Sequence, residues 1–121
     1  MTSKTYQAIK VLLKDSLDSK ETMQQLRAGG VVKLMSWGAR NYTNIENRGL
    51  LFRVSGFKHK GYVLITLAYD DTYTVYLLKL NGEIVKTMEM VYCDELTDTI
   101  DEAVEKVSDY EATVKKHYGL D

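Results

Sequence analysis

A chain of 121 residues, 45% hydrophobic and 27% charged, has the size and composition of one folded domain, which excludes global disorder. Its one cysteine, Cys93, excludes an intramolecular disulfide. The formal net charge of −1 hides an asymmetry: seven basic residues and one acid between Arg27 and Lys60, then five lysines against thirteen acids from Gly61 to Asp121. A basic middle of this kind points toward an anionic partner.

The N-terminus lacks the apolar stretch of a signal peptide, and the longest mainly apolar run, Tyr62–Tyr69, is too short to span a bilayer. The expected location is therefore cytoplasmic, without membrane contact. With no proline in the chain, turns must rely on Gly, Asn, Asp and Ser.

In chain order, residues 1–30 read as helical. Tyr6, Ile9, Leu12, Leu13 and Leu17 fall at helical spacing. Asp18 followed by Glu21 has the form of a capping box that starts a second short helix carrying Met23 and Leu26. Gly29-Gly30 then supplies the positive φ that ends it. From 31 to 92 the period becomes two. Val31–Trp37 reads as a strand and Gly38–Arg48 as a long loop after it. Further strands follow at 50–55, Tyr62–Tyr69, Tyr73–Leu80 and Glu83–Tyr92. Asn81-Gly82 is the strongest hairpin signal, expected as a two-residue type I′ turn that sets Leu77 opposite Lys86 and Val75 opposite Met88. Residues 94–118 form an amphipathic helix: Leu96, Ile100, Val104, Val107, Val114 and Tyr118 make its stripe, with acids early and Lys115, Lys116 and His117 late.

The expected fold is α+β: an N-terminal helical segment, an antiparallel β-meander of about five strands and a C-terminal amphipathic helix packed on the sheet. Both faces of the 73–92 hairpin are substantially apolar, so each needs a cover. Either the terminal helices take one face apiece, or they share one and leave Tyr76, Leu78 and Val85 as an interface for a second copy or another protein.

Enzyme signatures are absent. The chain has no phosphate-loop motif, no Gly-x-Gly-x-x-Gly, no Gly-x-Ser-x-Gly and no His-Glu-x-x-His. His59, between two lysines, is expected in a solvated turn. Cys93, beside Asp94 and Glu95, is expected to be a buried structural thiol. Asp70-Asp71 offers too few oxygens for a divalent cation and suits a turn. No catalytic residue, metal or cofactor is expected, and the acidic face around Asp98, Asp101 and Glu102 suits solvent.

The remaining signal is basic. Arginine forks hold phosphates and exposed aromatics stack on bases, so Arg40, Tyr42, Arg48, Arg53, Lys58 and Lys60 are the candidate contacts to nucleic acid. In a simple meander the 38–48 loop and the Lys58–Lys60 turn lie at opposite ends of the sheet, roughly 20 Å apart. The element order over residues 50–118, four strands and then a helix, is similar to that of the single-stranded-DNA-binding transcriptional coactivator fold, a resemblance of order that shares no motif. The expected function is thus a non-enzymatic binding module for nucleic acid, with a protein-interaction or structural subunit as the alternative.

Overall fold

The computed structural model describes residues 3–68 and 70–105. Three helices, α1 (Ser3–Lys10), α2 (Ser19–Ala28) and α3 (Val31–Ser36), precede five strands: β1 (Arg40–Ile45), β2 (Gly49–Ser55), β3 (Lys60–Leu67), β4 (Tyr73–Leu78) and β5 (Ile84–Val91). A 3₁₀ turn, Cys93–Glu95, leads into α4 (Leu96–Val104). The strands form one antiparallel sheet in the order β1-β2-β3-β4-β5, which is the expected meander in an α+β fold. Val107, Tyr110, Val114, Tyr118 and the basic end of the expected long helix lie outside the described residues.

The start of α2 follows the sequence. The Asp18 carboxylate accepts from the backbone N–H of Lys20 (3.0 Å) and Glu21 (3.4 Å), and so caps α2. At its other end the positive φ falls on Gly30 (133°). Gly29 matters for space instead: a Cβ there would meet Thr97 Oγ1 at 2.3 Å, where α2 presses on the start of α4. Thr97 Oγ1 donates to Leu26 O at 2.8 Å and ties the two helices.

Two expectations fail between 31 and 48. Val31–Ser36 is a helix, not a strand, because Leu34 and Trp37, three apart, are its core-facing residues, while Val31, Val32 and Met35 stay exposed. Gly38–Arg48 is not a loop; it contains β1. Five of the six β1 residues are exposed, so this edge strand carries no apolar alternation to betray it. Its turn into β2 has positive φ at both Glu46 (52°) and Asn47 (56°), closed by Arg48 N–H to Ile45 O at 2.9 Å.

That double positive φ was expected at Asn81-Gly82, where only Gly82 (95°) has it. There Gly82 N–H bonds Lys79 O (2.9 Å) and Lys79 N–H bonds Glu83 O (2.8 Å), a three-residue loop ending in a left-handed glycine. A bulge between Leu77 and Leu78 absorbs the extra residue, so Leu77 still opposes Lys86 and Val75 still opposes Met88.

The sheet is covered on both sides. On one face Leu50, Phe52, Val54, Val63, Ile65, Val75 and Leu77 pack with residues of α2, α3 and α4. On the other, Leu51, Tyr62, Leu64, Tyr76 and Leu78 pack beneath Ile9 and Leu13. Each fully buried Leu, Ile or Val contributes about 1.5–3 kcal/mol, which makes both layers integral to the fold. No described helix is long and apolar enough to cross a membrane.

Candidate nucleic-acid interface

Strand register decides which of the six candidate residues meet. Arg40 opposes Arg53, Arg53 opposes Tyr62, and Ser55 opposes Lys60. Directly paired residues share a face, so Arg40, Arg53 and Lys60 lie on one face of three adjacent strands, at one end of the sheet. They share that face with Leu51 and Tyr62, the face of α1. The expected separation of Arg40 from Lys60 is thereby corrected: residue 40 begins a strand and so sits at the β2–β3 end.

None of these three cations has an ion-pair partner among the described residues. The ion pairs among the described residues are Lys10–Glu46, Lys33–Asp98 and Lys79–Glu83, and none includes Arg40, Arg53 or Lys60. Arg40 Nη1 donates to Gly38 O (2.8 Å) and Ser55 Oγ (3.3 Å), which orients its guanidinium toward Ser55. Arg53 Nε is buried with no hydrogen-bond partner among the described residues. A buried donor without a partner costs about 1–3 kcal/mol.

The other three candidates part company. Arg48 donates to Lys14 O from Nε (2.8 Å) and Nη2 (2.6 Å), with Leu13 O at 3.4 Å, and so clips the end of the α1 segment to the β1–β2 turn. Lys58 Nζ donates to Glu102 O (2.6 Å) near the described end of α4. Its backbone N–H bonds Val104 O at 2.9 Å. Tyr42 points to the opposite face, its ring against Phe52 with centroids 5.1 Å apart. Burial pushes the Tyr42 hydroxyl pKa up, while nearby Arg27 acts in the opposite sense.

The interface candidates divide as well. Tyr76 and Leu78 are buried beneath α1, and only Val85 is exposed, so α1 occupies the face that a partner would need. His59 is buried rather than solvated, with Nε2 3.1 Å from Tyr62 O, because the β2–β3 turn folds over the end of α4. Cys93, expected buried, is exposed in the 3₁₀ turn. The acids of α4 are partly spent inside the molecule: Asp98 pairs with Lys33, and Asp101 accepts from Trp37 Nε1 at 2.8 Å. Asp70 Oδ1 takes the Thr72 hydroxyl (2.7 Å) and backbone N–H (3.2 Å), and these bonds hold its pKa below the usual carboxylate value. No cluster of three or more metal-ligating side chains occurs among the described residues.

What the sequence reasoning missed is Arg27 and Lys20, which α2 brings up to Tyr42. Their signal was recoverable, since both are basic and lie on the predicted second helix. Placing them beside Tyr42 required knowing that residue 42 is in a strand. No family model, curated protein or solved structure matches the chain, so the similarity in element order to the coactivator fold carries nothing over to it.

Proposed function

We propose that this protein is a non-enzymatic binding module that takes single-stranded nucleic acid along β1 and the adjoining Arg53 and Lys60. The observation that carries this reading is the corner of Arg40, Arg53 and Lys60: three cations on one sheet face, with no carboxylate partner among the described residues. The arginine forks of Arg40 and Arg53 suit phosphate oxygens, which accept several hydrogen bonds at once. The β1 edge adds exposed Asn41, Tyr42, Thr43 and Asn44, polar and aromatic groups within reach of a strand lying beside it.

Titration with single- and double-stranded oligonucleotides at low salt tests the reading. Tighter binding of the single strand is expected, weakening steeply as salt rises. In the doubly substituted Arg40→Gln/Lys60→Gln protein the slope of log K against log salt should shrink by about 1.4, roughly 0.7 per lost phosphate contact. Absence of binding to any oligonucleotide at low salt rules the function out.

A further inference from the structure

On the face opposite the basic corner, an open groove of about 410 Å³ runs between α2 and the β1 edge. Met23 and Leu50 supply its apolar lining, Gln24 an amide, and Lys20 and Arg27 its charge; no acid lines it among the described residues. Neither cation is in an ion pair among the described residues. Tyr42 forms one wall. Its ring is tilted 38° against buried Phe52, yet the residue remains 39% exposed, so the packed side fixes the ring while the rest borders the groove. Asn44, also in the lining, is already committed: its amide bonds Asn47 and accepts from Ser19 Oγ at 3.1 Å.

An aromatic packed on one side, an apolar lining, an amide with no hydrogen bond and two cations with no carboxylate among the described residues match a flat ring joined to an anion. We propose that this groove seats one nucleobase of a bound single strand, the base against Tyr42 and its phosphate between Lys20 and Arg27. The proposal rests on the nucleic-acid reading and deepens it: Arg40 and Tyr42 are two residues apart on an edge strand and point to opposite faces. A strand following β1 therefore meets phosphate contacts on one side and a base seat on the other. The ring stacks as sequence-tolerant platforms do, since every base has a π-face.

The test uses the ¹⁵N-labelled full chain and three probes: a ten-nucleotide oligothymidine, thymidine monophosphate and inorganic tripolyphosphate. The oligonucleotide should shift the amides of Met23, Gln24, Tyr42 and Asn44 as well as those of Arg53 and Lys60. Tripolyphosphate, which has no base, should leave the Tyr42 ring signals unmoved. Tyr42→Leu should weaken oligonucleotide binding about 5- to 150-fold, while Tyr42→Phe stays within about twofold. Arg27→Gln, an exposed substitution that leaves the Phe52 packing alone, guards against misfolding of the Tyr42 variants and should also weaken binding. Oligonucleotide binding that persists undiminished in Tyr42→Leu and Arg27→Gln overturns the base seat while leaving the nucleic-acid reading intact. Failure of the oligonucleotide to bind overturns both. Groove shifts with thymidine monophosphate, accompanied by the oligonucleotide shifts, support the seat; groove shifts with the mononucleotide alone overturn the strand as occupant.

Discussion

Arg48 and Arg53 are the same residue type five positions apart, yet their surroundings give them different work. The Arg48 guanidinium is spent on the carbonyls of Leu13 and Lys14, whereas Arg53 keeps a buried Nε without a partner among the described residues. Charge-assisted hydrogen bonds to backbone are worth about 1.5–3 kcal/mol, less where solvent competes. Arg48→Gln should therefore cost about 1–2 kcal/mol in urea denaturation and leave the salt slope of oligonucleotide binding unchanged. A reduced slope in that variant would place Arg48 back among the phosphate contacts. The chemical type of both residues was legible in the sequence. Their surroundings were not, because the carbonyls that hold Arg48 lie 34 residues or more away along the chain, and the residues beside Arg53 are set by strand register.

At the scale of elements, segments with an unambiguous period were legible and those without were not. The acid cap of α2 and the apolar runs of β2, β3 and β4 stand out in the sequence. Val31–Ser36 misleads because Val-Val-Lys-Leu-Met-Ser fits a short strand as well as a single helical turn and a half, and length was too small to arbitrate. Leu34 is only 6% exposed and Val32 is 77% exposed, a contrast that the helix explains. Leu34→Ala should cost about 2–4 kcal/mol and Val32→Glu less than about 0.5 kcal/mol, both read from chemical denaturation. Comparable losses in the two variants would contradict α3. The edge strands show a further economy. β5 leaves Val85 and Met90 exposed, but bulges near both ends and Lys86 between them discourage a second sheet edge from adding to it.

For the whole molecule, α1 decides between the two ways of covering the sheet. Ile9 is fully buried against the layer that holds Leu51, Leu64, Tyr76 and Leu78. A charge at that position cannot stay there unpaired, so Ile9→Asp should undock α1 and uncover an apolar face. Light scattering should then show association that rises with concentration, while circular dichroism retains its β signal. A monomer of unchanged stability would mean that α1 is dispensable cover.

Composition, the two apolar faces of the central strands and the Asp18-capped start of α2 were determined by the sequence alone, because each follows from local propensity and period. The association of Arg40 with Lys60, and of Tyr42 with Arg27 and Lys20, was decided by the tertiary structure. One misread segment moved every residue between 38 and 48 relative to the sheet: as a loop it would gather Arg40 and Arg48 at one end, and as β1 it separates them by the strand's length. Side chains of an exposed edge strand carry almost no hydrophobic signal, so only pairing with β2 could set which face each one takes.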